Sequence, residues 1–178
     1  MRIIRDVIVP ILIAVIVTAI FHTMIASFKV YGSSMYPTIL PGEYIMVSKV
    51  SYFFSQPHRG EIIVFHSPRD QETDLIKRVI AVPGDTVEIK KGVVSINGIA
   101  LAEPYVAEAP RYDYSPQEII PDQYFVLGDN RNNSNDSHNG WTVDRDSIVG
   151  KVWISLWPPG LTPEYNLEEQ LASAEFLP

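Results

Sequence analysis

Residues 7–28 carry no Asp, Glu, Lys or Arg, and only Thr18, His22, Thr23 and Ser27 interrupt an otherwise apolar run. As a helix rising 1.5 Å per residue, such a run spans about 33 Å, enough to cross the hydrocarbon core of a bilayer. No other feature constrains the chain as strongly, because a helix that is apolar all round must be covered on every side by protein or by lipid. Pro10 falls in the first turn, where proline is tolerated. Arg2 and Arg5 would also suit the positive flank of a cleaved export signal, but the apolar stretch is longer than the roughly 7–15 residues of such a signal. We therefore read a retained, single-pass anchor in the cytoplasmic membrane. Arg2 and Arg5 favour an N-terminus on the inside, against Lys29 at the other end. No later segment is long and apolar enough to cross again, so the remainder is expected on the extracytoplasmic side.

Beyond the anchor the pattern changes to short apolar runs separated by turn residues, which predicts strands over 44–50, 61–66, 75–82, 86–90, 93–96, 124–127 and 148–156. Lys91-Gly92 and Asn97-Gly98 are hairpin turn signals, and Pro41-Gly42 and Pro83-Gly84 mark further turns. Residues 102–122, with Pro104, Pro110, Pro116 and Pro121, read as an extended excursion outside the core. The expected fold is mainly β, an N-terminal transmembrane helix followed by an all-β domain of antiparallel sheets. The expected division is an anchor segment over 1–29, a β-rich domain over 30–160 and an acidic tail over 161–178 with a short amphipathic helix. Trp153 and Trp157 read as core or domain-bottom residues.

Cysteine is absent, which removes a disulfide framework and a thiol nucleophile. The net charge of −7 is uneven: the first 29 residues hold Arg2, Arg5 and Lys29 against Asp6, while the last 18 hold four glutamates and no base. An acidic middle with no basic stripe argues against nucleic-acid binding.

Within the strand over 75–82, Leu75, Lys77, Val79 and Ala81 share one face, and Ile76, Arg78, Ile80 and Val82 the other. If the first face is buried, Lys77 is buried with it and Arg78 points elsewhere. Desolvation then lowers the lysine pKa and makes the amine a base near neutral pH. An edge-strand lysine that reaches water is the plainer alternative. Ser34, in Gly32-Ser33-Ser34-Met35-Tyr36-Pro37-Thr38, suits a turn or a helix cap when taken alone. It lies six residues after Phe28, at most about 20 Å from that end of the anchor. A base could activate it as a nucleophile. Gly32 would let backbone approach a ligand, and the Ser34 backbone N–H would serve as an oxyanion donor. The polar run from Gly128 to His138 fails as an EF-hand calcium loop, since one register puts Arg131 at a ligand position and the next puts Trp141 where a glutamate is needed. It reads instead as a hydrogen-bonded support in which Ser134 could orient a neutral lysine.

Four motifs in order resemble those of type I signal peptidases, membrane-bound serine proteases with a Ser/Lys dyad. They are Ser34 to Thr38, Arg59-Gly60-Glu61 with its apolar continuation, Lys77 to Asp85, and Gly128 to Ser137. The resemblance implies Ser34 as nucleophile and Lys77 as general base. It also implies a hydrogen bond between Ser134 and the lysine, and Asp136 holding the loop through the residue two positions on. That residue is often arginine in the family and is His138 in this sequence. The implied reaction is amide hydrolysis through an acyl-enzyme, without cofactor or metal. Implied partners are exported preproteins with small residues before the cut, met at the lipid bilayer. Val30, Met35 and Ile76 flank the dyad residues and are candidates for the substrate pocket, and Tyr52-Phe53-Phe54 for contact with the membrane interface. A Ser/His protease using His138 or His66, with Asp129 or Asp136 as orienter, is the enzymatic rival. An anchored domain that binds exported peptides without cutting them is the non-enzymatic rival.

Overall fold

The computed structural model describes residues 4–70, 72–157, 159–161 and 165–175. A short π-helical stretch (Ile4–Ile8) leads into α1 (Val9–Met24). Together Arg5–Met24 form a helix of mean hydropathy 2.5, long and apolar enough to cross a membrane.

The apolar run does not stay helical to residue 28. Ile25 is extended (φ −128°, ψ 138°), and β1 (Ile25–Lys29) follows at once. The reason is non-local: β1 pairs antiparallel with β2 (Tyr44–Ser48) from Ile25↔Ser48 to Lys29↔Tyr44, and this ladder replaces the helical hydrogen bonds. The sheet therefore starts five residues before the expected boundary at 30.

The remaining strands are β3 (Ile62–His66), β4 (Asp74–Ala81), β5 (Thr86–Lys90), β6 (Val93–Ile96), β7 (Ile99–Ala100), β8 (Tyr114–Glu118), β9 (Gln123–Leu127), β10 (Val143–Asp144), β11 (Ile148–Trp157) and β12 (Pro159–Leu161). One sheet runs β1-β2-β11-β3-β4-β9-β10, with β12 added against β11; the other runs β7-β6-β5-β8. Pairing within both sheets is antiparallel. The mainly β, antiparallel architecture is the one expected.

The hairpins at 91–92 and 97–98 form as the local sequence dictates, with both central residues left-handed (Lys91 φ 51°, Gly92 φ 80°; Asn97 φ 53°, Gly98 φ 81°). Residues 102–122 depart from expectation. They contribute β8 to the edge of the smaller sheet and bury Tyr105 and Ile119 in the core. Pro116 is accommodated because its strand is an edge and the register against β5 shifts between Val87 and Ile89.

The smaller sheet packs over one face of the larger. Val87, Ile89, Val94 and Ile96 meet Ile80, Phe125 and Leu127 in one cluster. Both faces of β4 are therefore covered, and Arg78, expected to point away from the buried side, is fully buried. The tail forms α2 (Leu167–Glu175), whose Leu167 and Leu171 join the same cluster and whose first turn is capped by Asn166, which accepts from Glu169 N–H at 3.2 Å. Trp153 is 56% exposed and so is not a core residue; the side chain of Trp157 lies outside the described residues.

Candidate active site

Strand β4 carries Lys77 opposite buried Ile63 of β3, between half-buried Ile76 and buried Arg78. The lysine is 2% exposed. Its Nζ lies 2.8 Å from Ser34 Oγ and 2.8 Å from the carbonyl oxygen of Ile76, and donates to both. Burial pushes the amine down from its ordinary 10.5 to about 8, while the negative charges of Asp136 and Asp129 pull it back up. Holding the ammonium there costs about 3 kcal/mol, at 1.36 kcal/mol per pKa unit.

Ser34 is fixed by the polar loop that follows β9. Its carbonyl accepts from Asn130 N–H at 2.9 Å, and the Ser33 carbonyl accepts from Asn130 Nδ2 at 3.1 Å. Asn133 Nδ2 donates to Ser33 Oγ at 3.1 Å. Gly128 makes this closeness possible: a Cβ there would stand 2.3 Å from Ser134 Oγ and 2.5 Å from the Ser34 carbonyl oxygen.

Ser134 is thus packed beside the Ser34 backbone, but its Oγ is buried without a hydrogen-bond partner. The expected bond to Lys77 is not formed, because the amine's contacts go to Ser34 and the Ile76 carbonyl. Asp136 is fully buried. It accepts from Gly128 N–H at 2.9 Å through one oxygen and contacts His138 Nδ1 at 2.6 Å through the other. The His138 ring stacks on Tyr112 with centroids 3.9 Å apart. His138, two positions after Asp136, is thus held between that carboxylate and the Tyr112 ring. Among the described residues neither His138 nor His66 bonds Ser34; His66 Nδ1 instead meets Asp74 at 2.7 Å. Lys77, not a histidine, is the titratable side chain that bonds Ser34 Oγ among the described residues.

Sequence reasoning missed the knot behind the pair. Arg78 donates to both oxygens of Asp129, from Nε at 2.9 Å and Nη2 at 2.7 Å, and from Nη1 to the Gly60 carbonyl at 2.7 Å. Asp129 also accepts from Thr38 Oγ1. One carboxylate thereby joins the serine segment, the strand of Lys77 and the polar loop. Each of these residues stood in a quoted motif; their mutual contact has no signature in spacing.

A cleft of about 520 Å³ opens at the pair, lined by Phe28, Val30, Gly32, Leu75 and Ile76 together with Ser34 and Lys77. Val30 and Ile76 line this cleft, and so does Gly32, whose α-carbon faces open space. Met35 does not: it is wholly buried and packs in the cluster beneath. A larger polar hollow of about 780 Å³, at His66, Asp122, Asp144 and Arg145, contains neither Ser34 nor Lys77. Strand β9 pairs with β4 only from Arg78 onward, so residues 74–77 keep one edge without a strand partner among the described residues. No group of three or more His, Asp or Glu side chains is placed to hold a metal ion among the described residues.

Residues 3–157 match the family described as signal peptidase, peptidase S26. A protein named "Probable signal peptidase I-2" from Synechocystis sp. is 40% identical over 151 residues, covering 82% of this chain and 69% of that protein. Signal peptidase I of Leptolyngbya laminosa is 40% identical over 154 residues, covering 82% of this chain and 76% of that one. A crystal structure of a signal peptidase I from Enterococcus faecalis V583 superposes with a TM-score of 0.50 at 35% identity, over 55% of this chain and 97% of that one.

Proposed function

The chain belongs to the signal peptidase family of peptidase S26, and from that premise we propose that it cleaves signal peptides from exported preproteins with Ser34 as nucleophile and Lys77 as base. The observation that carries this reading is the 2.8 Å contact between Lys77 Nζ and Ser34 Oγ, made by a buried lysine whose pKa is lowered to about 8. When the amine is neutral its lone pair takes the Ser34 proton as Oγ attacks the carbonyl carbon of the scissile peptide. In this reading the Ser34 backbone N–H would meet the developing oxyanion. The ammonium then gives its proton to the leaving amine, and the acyl group stays on Oγ as an ester. The neutral lysine next deprotonates a water, which attacks the ester, and the ammonium returns that proton to Ser34 Oγ as the acid product leaves.

An extended substrate would add as a strand along the open edge of residues 74–77. The shallow apolar lining at Val30 and Ile76 suits the small side chains before the cut. In this reading α1 lies in the bilayer with the N-terminus inside, and the β-rich domain stands outside with its tail docked on it. Lys49 N–H donates to the Met24 carbonyl at 2.9 Å, which holds the following turn near the end of α1. Phe53 and Phe54 of that turn are 74% and 96% exposed, which supports contact with the membrane interface.

The direct test is incubation of the detergent-solubilised protein with a signal-bearing precursor. Wild type should release one discrete product, and Ser34→Ala should release none above background. Retained cleavage in the variant would remove Ser34 from the mechanism. The lysine makes a second prediction. Its working form is neutral, so kcat/KM should climb through an apparent pKa near 8 and fall about tenfold per pH unit on the acid side. A flat profile between pH 6 and 9 is incompatible with Lys77 as the base.

A further inference from the structure

We propose that the segment from Tyr165 through α2 is a positioning strap for the Ser34/Lys77 pair, acting through Arg78. The inference rests on that reading of the pair. It concerns residues that lie beyond the family match, which ends at 157.

The strap is attached at four points of different chemistry. Leu167 and Leu171 are buried in the cluster shared with the smaller sheet. Gln170 exchanges two hydrogen bonds with the backbone of Ala102, at 3.0 Å and 3.1 Å. Glu168 pairs with Arg59, which is itself bidentate to buried Asp85 at 2.6 Å. The Tyr165 carbonyl lies so close to Gly60 that a Cβ there would approach it to 1.8 Å. Gly60 also has φ +93°, so a side chain is excluded twice over.

What the strap covers gives it a catalytic bearing. The Tyr165 ring lies 5.3 Å from the Arg78 guanidinium and 4.8 Å from the ring of Tyr105, which sits 4.1 Å from the same guanidinium. These two tilted tyrosines close one side of Arg78 and keep the Arg78–Asp129 pair dry. A dry pair holds Asp129 compensated and its loop in place, and that loop clamps Ser33 and Ser34 through Asn130. The charges acting on Lys77 are Asp136 of the loop and Asp129, with Arg78 next to Lys77 on β4. Water admitted over Arg78 would weaken its hold on Asp129. Asp129 would then favour the charged lysine more strongly, and the neutral base would be scarcer at a given pH.

The experiment uses full-length protein in detergent with a signal-bearing precursor, comparing wild type, Tyr165→Ala, Tyr165→Phe and Glu168→Gln, with a melting curve for each. We expect Tyr165→Ala to lower kcat several-fold at neutral pH with KM little changed. We also expect its acid limb to move to higher pH by about half a unit or more, the direction that less compensation of Asp129 requires. Tyr165→Phe, which keeps the ring, should restore both values. Glu168→Gln, which loosens the tie to Arg59, should move the limb the same way by less. An acid limb that stays at the wild-type pH in both Tyr165→Ala and Glu168→Gln overturns the proposal, even if melting temperature and rate fall, because simple loss of folded enzyme scales the profile without shifting it. Should Tyr165→Ala not fold, Glu168→Gln alone decides by the same criterion. Failure of the wild type to cut the precursor is a different result and strikes the peptidase reading itself.

Discussion

Lys77→Met should abolish cleavage while making the protein more stable at neutral pH. Removing a general base typically costs about 10²–10⁴ in rate. A base that also activates the nucleophile belongs at the upper end of that range. The stability change follows from linkage. The amine has a pKa of about 8 when folded and about 10.5 when unfolded, so the unfolded chain binds more protons between those values. The penalty of about 3 kcal/mol is fully present below pH 8, shrinks as pH rises through that window, and is gone above 10.5. Methionine has similar length and no charge, so the variant should melt higher than wild type at pH 7. The difference should narrow towards pH 10.5. Denaturant unfolding of both proteins at pH 7 and pH 10 measures this, and a variant less stable than wild type at pH 7 would show that the lysine is not held against its own solvation.

Arg78→Met should have the opposite effect on stability. Arg78 and Asp129 are both fully buried and doubly hydrogen-bonded. Removing one partner of such a pair leaves a buried charge and costs about 3–5 kcal/mol. Here, among the described residues, the orphaned Asp129 side chain keeps the bond from Thr38 on the serine side alone. Cleavage should fall together with the urea midpoint. The double variant Arg78→Met/Asp129→Leu should regain much of the stability, since no charge is then left unpaired, but not the activity, because Thr38 and the polar loop would have lost their common partner. Equal stability of the single and double variants would mean that the pair's desolvation does not dominate.

These two adjacent residues also mark how far the sequence could be read. Lys77 was legible because alternation along β4 put it on a face with Leu75 and Val79, and both do pack in one core cluster. Arg78 was misjudged by the same rule. Alternation assumes one solvated face, and the second face of β4 is covered by elements outside the strand itself: the smaller sheet, Tyr105 and Tyr165. Hairpins built on two residues were fully local, and so the strands over 86–90 and 93–96 appear with the expected limits. Strand β1 was hidden inside an apolar run whose composition does not distinguish helix from strand. Its partner in β2 made the choice. β8 was hidden by prolines that an edge strand tolerates at an irregular register. In the site, Ser34, Lys77 and Asp136 were recognisable from motif order. The clamp on the serine, through Asn130 and through Thr38 to Asp129, depended on contacts across about ninety residues of chain.

The immediate passage from α1 to β1 at Ile25 has a mechanical meaning. If α1 lies in the lipid, as proposed, no tether separates the bilayer from the sheet that carries Ser34 and Lys77. The first strand after α1 is already bonded along its length to β2. Five residues of strand rise about 17 Å, and Ser34 follows five positions later. On the proposed placement of α1, the serine would be held at a set height above the lipid, like the jaw of a caliper whose other jaw is the membrane surface. Where a preprotein is cut would then be fixed jointly by its small side chains and by how many residues separate the end of its own apolar segment from that height.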